Sequence, residues 1–301
     1  MLKAEKISKV YTLKDRHITV LSDVSFVLEP QEFVFLVGKS GAGKTTLLKI
    51  IFLEEPPTSG HLYFNNIEIT HLPEKLVQVY RQHVGVVFQD YKLLENRTAR
   101  ENIEFVLELF NKSKKEIKKI TDYLLELVEL KDRADLFPAQ LSGGEKRRIA
   151  IARAVAHRPK VLLADEPTGD LDEENSMLIM QILERVNQSG TSIIMATHRL
   201  DLITSYKYPL WKLQEGVLLT DVDRKNIKDL YSVPEPSLGD KYLILLVKHL
   251  SVGTYKKLFR IKPSSIREIL ELTPKQLKQQ LDFTDTEINE LKKAIRGLQN
   301  N

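Results

Sequence analysis

The run Leu36–Ile50, LVGKSGAGKTTLLKI, constrains this 301-residue chain more than any other. Apolar residues lead into a turn rich in glycine, and helical spacing resumes directly beyond it. Gly38, Gly43, Lys44 and Thr45 fit the phosphate-loop pattern G-x-x-x-x-G-K-[ST], which needs a buried strand before it and a helix after it. Across Gly38, Lys39, Ser40, Gly41, Ala42 and Gly43 the backbone N–H groups can close around phosphate oxygens. The positive end of the following helix points at the same place. Lys44 would neutralise the β- and γ-phosphates, the Thr45 hydroxyl would ligate Mg2+, and Thr46 completes the set in the first helical turn.

The surrounding pattern agrees with that loop. From Met1 to about Thr70 the chain has strand character, in ITVLSDVSFVL, FVFLVG and HLYFNNIEI, with the turns EPQE and EPPTSG between the pieces. The phosphate loop feeds a helix over Lys44–Phe52, and VGVVFQD (Val84–Asp90) reads as another short strand. Residues 98–136 carry apolar positions at helical spacing. A helix bearing KRRIAIARAVA, the strand KVLLADE, a helix ENSMLIMQILERVNQSG and the strand TSIIMATH follow. Alternating strands and helices predict an α/β fold: a mainly parallel sheet with an antiparallel N-terminal part and a helical insertion over about 90–141. We expect one such domain over 1–220, a linker over 221–240 containing SVPEPSLGD, and a small helical appendage over 241–301. Helix-start signals in that appendage are Ser265…Glu268, Thr273-Pro274…Gln276 and Thr284…Glu287. Ile288, Leu291, Ile295 and Leu298 share one helical face there.

Composition excludes several classes. With 42% apolar and 29% charged residues the chain can bury a sizeable core, and the lack of cysteine removes disulfides, thiol chemistry and cysteine metal sites. The stretch MLKAEKISKVY lacks the apolar core of a secretory signal, and no window reaches the ~20 apolar residues of a membrane span. The expectation is a cytoplasmic protein unless a partner holds it at a membrane. The net charge of +4 lies wholly in residues 221–301, which hold 15 Lys+Arg against 11 Asp+Glu. That small excess does not argue for nucleic acid and reads as a solvated helical surface.

VLLADEP, Val161–Pro167, is the second element. Four apolar residues ending in two carboxylates place Asp165 and Glu166 at the carboxyl end of a buried strand, where ligands of such sheets bind. Asp165 would hold Mg2+ through water and Glu166 would polarise the water that attacks the γ-phosphate. Ahead of it stands LSGGEKRRIAIARA, Leu141–Ala154, where Ser142, Gly143 and Gly144 open a helix as a second phosphate-binding surface.

This last segment resembles the LSGGQ signature of ABC ATPases, with Glu145 where Gln often stands. The resemblance runs from about Met1 to Thr220 and implies further roles. Tyr11 resembles the aromatic that stacks on adenine. Gln89 resembles the loop glutamine that senses Mg2+ and the γ-phosphate. Gly169-Asp170-Leu171-Asp172 resembles the loop that crosses between subunits, and His198 the switch histidine, although Arg199 follows it where many relatives have Asp. Phosphate loop and signature are usually too far apart within one chain of this family to hold the same nucleotide. The resemblance therefore implies a head-to-tail homodimer that closes on ATP and opens after hydrolysis. A single cassette without a membrane span looks like the detached ATPase of a bacterial membrane complex, peripheral to the cytoplasmic face of the inner membrane. FVFLVGKSGAGKTTLLKII, VGVVFQDYKLLENRTARENI and LLADEPTGDLD look most like the cell-division branch. Its implied partner is an FtsX-like permease subunit, and its implied output is control of septal peptidoglycan hydrolysis. The alternative is a lipoprotein-release or macrolide-export ATPase.

Overall fold

The computed structural model describes residues 1–13, 16–220, 222, 276–278, 283–289 and 291. The chain divides into two compact units, Met1–Tyr231 and Ser232–Asn301.

In the first unit, β1 (Leu2–Leu13), β2 (Arg16–Leu28), β4 (Ser59–Phe64) and β5 (Ile67–Glu68) form an antiparallel sheet in the order β2-β1-β4-β5. HLYFNNIEI is a hairpin rather than one strand. Asn65 and Asn66 take φ of 50° and 65°, a left-handed pair that suits the tight turn twisting with its strands. The second sheet has the order β10-β9-β3-β8-β7-β6, from β3 (Phe33–Val37), β6 (Val84–Val87), β7 (Val161–Asp165), β8 (Ser192–Thr197), β9 (Leu210–Gln214) and β10 (Val217–Leu219). All its pairs are parallel except β9 with β10. β3, β7 and β8 are buried at every residue, because both faces of the sheet are covered. Alternate residues accordingly join two cores. Phe33, Phe35, Leu162, Ile193 and Met195 pack in one, and Val34, Leu36, Leu163, Ile194 and Trp211 in the other.

Three helices frame the site: α1 (Lys44–Ile51), α5 (Gly143–Val155) and α6 (Glu173–Gln188). The helical insertion is split. α3 (Ala99–Leu109) ends where Asn111 turns left-handed at φ 53°, and α4 (Lys114–Leu127) starts at a new N-cap. Thr98 with Glu101 and Ser113 with Glu116 form reciprocal capping boxes that set both starts. Periodicity alone did not register α2 (Glu74–Arg81), α7 (Leu200–Ser205) or the β9–β10 hairpin, which are short. Of the appendage signals, the Thr284–Glu287 capping box is formed, and Ile288 and Leu291 are buried. Ser265–Glu268, Thr273-Pro274, Ile295 and Leu298 lie outside the described residues. Among the described residues no helix is long and apolar enough to cross a membrane.

Candidate nucleotide site

Strand register brings the motifs to one edge. Val37 pairs with Thr197 and Asp165 with Ala196, so the residues after β3, β7 and β8 emerge side by side. The phosphate loop leaves β3 and reaches α1 through Gly41 at φ 78° and Gly43 at φ 102°, backbone angles that cost glycine little. Lys44 is buried at 9% exposure and lies back across its loop, donating from Nζ to Gly38 O at 2.8 Å and to Lys39 O at 3.3 Å. The same Nζ stands 4.0 Å from Glu166 Oε1. Thr45 Oγ1 donates to Asp165 Oδ2 at 2.8 Å, across 120 residues of sequence.

Glu166 sits just past β7 at φ 49°, a strained backbone angle for a residue with a Cβ. Its N–H donates to Ala196 O at 3.0 Å, and the Gly169 N–H donates to its carbonyl at 3.0 Å. His198 Nδ1 lies 2.9 Å from Glu166 Oε2, at ion-pair distance but without the alignment of a hydrogen bond. The Glu166 carboxylate therefore lies between the Lys44 ammonium and an exposed imidazole.

Gln89, Thr45 and Asp165 line one cavity of about 150 Å3, together with Lys49, Phe88 and Lys92. A hydroxyl, a carboxylate and an amide form an all-oxygen donor set of the kind a hard cation takes. Tyr11 lies on β1 beside α1. Its hydroxyl donates to Glu55, and the Lys9 ammonium is 5.0 Å from the ring centroid. Burial, with the neighbouring Glu55, pushes the Tyr11 hydroxyl above its ordinary pKa.

The signature residues line a different place. Ser142 is the N-cap of α5: its Oγ accepts from the Glu145 N–H at 3.3 Å, and Glu145 Oε2 accepts from the Ser142 N–H at 2.7 Å. Glu145 in place of Gln thus closes a capping box, a pattern legible as S-x-x-E that sequence reasoning passed over. The backbone N–H of Ser142 holds the Glu145 carboxyl below its ordinary pKa. A hydroxyl that accepts one bond still has its own hydrogen to donate. Gly144 allows α6 to approach, since a Cβ there would stand 2.7 Å from Asn175 Oδ1. None of Ser142, Gly143 or Gly144 lines the cavity shared by Thr45 and Gln89.

The structure also accounts for Arg199. It clasps Asp201 with two nitrogens, donates to Ser176 Oγ at 3.0 Å and reaches Leu171 O at 3.3 Å. The residue after His198 thereby tethers the loop Gly169–Asp172, whose Asp172 caps α6 through the Asn175 N–H at 2.8 Å.

The family model described as ABC transporter matches residues 21–169. The cell division ATP-binding protein FtsE of Bacillus subtilis (strain 168) is 40% identical over 219 residues, 73% of this chain and 96% of that protein. The chain belongs to the ABC transporter ATPase family. It is an ABC-type ATPase. A solved dimer of the ATP-binding cassette MJ0796, in a post-hydrolysis state bound to ADP and Pi, matches with a TM-score of 0.68 and 32% identity. That match covers 74% of this chain and all of the cassette. The methionine import ATP-binding protein MetN of Histophilus somni (strain 129Pt) is 36% identical over 279 residues, 92% of this chain and 77% of that protein. An alignment of 279 residues is longer than the Met1–Tyr231 unit. The FtsE alignment, at 219 residues, has the length expected for a resemblance over about 1–220, whereas likeness to MetN continues past Thr220.

Proposed function

We propose that this ATPase is the nucleotide-hydrolysing subunit of a membrane complex that controls septal peptidoglycan hydrolysis in cell division. The observation that carries the catalytic part is the meeting of Lys44, Thr45, Asp165, Glu166 and His198 at one edge of the sheet. The division reading draws on the 40% identity to FtsE along nearly its whole length.

Gly38 to Thr46 bind the phosphates of ATP through backbone N–H groups, with Lys44 as the cation. Thr45, Asp165 and Gln89 are the residues that would hold Mg2+, which when bound screens the charge on the β- and γ-phosphates. On nucleotide binding Lys44 exchanges its loop carbonyls for phosphate oxygens. Glu166, held at its unusual backbone angle, orients the attacking water and draws on its proton. His198 steadies the γ-phosphate from the other side, and Tyr11 supports the adenine. Ser142, Gly143, Gly144 and Glu145 of a second copy cap the nucleotide held by the first. Closure of the homodimer is then the stroke, passed to an FtsX-like permease subunit at the cytoplasmic membrane face. A second reading, an importer ATPase of the methionine-import type, draws on the MetN identity that extends over 92% of the chain.

Glu166→Gln should bind ATP yet stall as a closed dimer. Loaded with ATP in native membranes, crosslinked and analysed by mass spectrometry, it should capture a permease-like subunit with a large extracytoplasmic domain linked to wall hydrolases. Capture of an importer permease supports the second reading, and an outer-membrane export or lipoprotein system supports the exporter alternative. Capture of no membrane protein overturns the partner assignment itself.

A further inference from the structure

Arg147 lies in the first half of α5, five residues after the N-cap Ser142, and is 2% exposed. Its side chain runs toward the Gln89 loop. One guanidinium nitrogen donates to Phe88 O at 2.8 Å, the carbonyl immediately before Gln89, and the guanidinium carbon lies 4.4 Å from the Tyr91 ring centroid. Its Nε is buried without a hydrogen-bond partner. Arg153, six residues further along the same helix, donates to Tyr91 O at 2.8 Å and to Lys92 O. Those two carbonyls belong to consecutive residues in the left-handed region, with φ of 57° and 46°. Two adjacent side-chain-bearing residues at such angles persist only when their surroundings hold them there.

A buried guanidinium is an expensive way to pack a helix, because burial opposes its charge. That cost is visible as a guanidinium pKa pushed down by burial, opposed by the Tyr91 hydroxyl and the carboxylates of Asp170 and Asp165. Ala150, Ile151 and Ala154 share the helical face of Arg147 and are buried among apolar neighbours, so an aliphatic residue would satisfy packing alone. What a guanidinium adds is a directed donor to a carbonyl and a flat cation over a ring. Both fall on the segment that carries Gln89. We propose that Arg147 is a positioning residue that aims Gln89 into the cavity it shares with Thr45 and Asp165, with Arg153 bracing the strained turn behind it. The position of Gln89 is thereby referenced to the helix that begins at the signature, and not only to its own strand β6. The proposal rests on the reading of Gln89 as the residue facing Mg2+ and the γ-phosphate.

The test is a double-mutant cycle on the full chain with ATP and Mg2+. Arg147→Gln should lower kcat about ten-fold, since small misplacements of a positioned group are costly, and leave KM for ATP within about two-fold because Lys44 and its loop are untouched. Mg2+ affinity of the full chain loaded with a non-hydrolysable ATP analogue, read by isothermal titration calorimetry, should fall. Arg147→Lys, which keeps a charged donor but not the flat stack, should recover part of kcat. In a Gln89→Ala background the same Arg147→Gln change should cost less than about two-fold, because the group it positions is gone. Full additivity of the two substitutions, or a loss confined to KM, would overturn the proposal. If Gln89→Ala alone hydrolyses at the parent rate, the underlying reading of Gln89 fails and this proposal with it. A slow Gln89→Ala with additive Arg147→Gln sinks only the proposal. Should Arg147→Gln fail to fold, the cycle is run with Arg147→Lys, whose loss must likewise vanish in the Gln89→Ala background.

Discussion

Gly144→Ala separates two duties of one glycine. The added methyl would stand 2.7 Å from Asn175 Oδ1 and 3.0 Å from its Cγ, well inside normal contact. Asn175 cannot swing away freely. Its Oδ1 accepts from Arg148 at 2.9 Å, its Nδ2 donates to Asp172 Oδ2 at 2.8 Å, and its backbone N–H donates to Asp172 Oδ1 at 2.8 Å. Displacing the amide weakens the charged Arg148 bond, worth about 1.5 kcal/mol, and the crowding adds about 1 kcal/mol more. Replacing glycine by alanine in a helix returns about 0.5 kcal/mol. The net loss is about 2 kcal/mol, which for a unit of this size lowers Tm by about 4–8 °C. Differential scanning calorimetry on Gly144→Ala, Asn175→Ala and the double variant reads this directly. The double variant should be no less stable than Asn175→Ala alone, because the clash has been removed. ATPase activity should stay low in the double variant, because in the proposed closed dimer residue 144 caps the nucleotide of the other copy. A Gly144→Ala protein melting at the parent Tm, or strictly additive losses, would refute the packing argument.

Lys44→Ala should abolish ATP binding measured by isothermal titration calorimetry, since it removes the cation proposed to hold the phosphates; unchanged affinity would refute that role. Glu145→Ala should lower stability by about 0.5–1 kcal/mol at pH 7, the value of a helix cap. The folded-state pKa of Glu145 is depressed, so its electrostatic contribution is complete above the unfolded value near ~4.3 and is lost as pH falls through the folded value. The stability gap to the parent should therefore narrow in thermal melts below about pH 4, and Glu145→Gln, which keeps the cap without the charge, should show no such pH dependence. Arg199→Ala should release Leu171 O of the Gly169–Asp172 loop, and Ser176 Oγ at the start of α6, from the guanidinium that holds both. We expect about 1–2 kcal/mol lower stability and faster hydrogen exchange at that loop; unaltered exchange would show that the tether is not what holds it.

Short windows of the chain carry the local chemistry. Strand–loop–helix around Lys44, paired carboxylates ending β7 and a serine opening α5 are each written in a few consecutive residues, because backbone angles, caps and periodicity are short-range. The S-x-x-E capping box of Glu145 and the charge of Arg147 among the apolar residues of α5 also stand in the sequence, but the sequence reading picked out neither. Which of these windows meet depends on the packed fold. Only the parallel register of β3, β8 and β7 sets Thr45 against Asp165 across 120 residues and brings His198 to Glu166. Only packing of α5 against the loop after β6 joins Arg147 and Arg153 to Phe88, Tyr91 and Lys92. The same holds for Arg199, which the sequence marks merely as a departure from its relatives and the fold turns into a tether for the Gly169–Asp172 loop. Such pairings depend on strand order and helix approach, and these are chosen by burial of the whole core and not by any window of sequence.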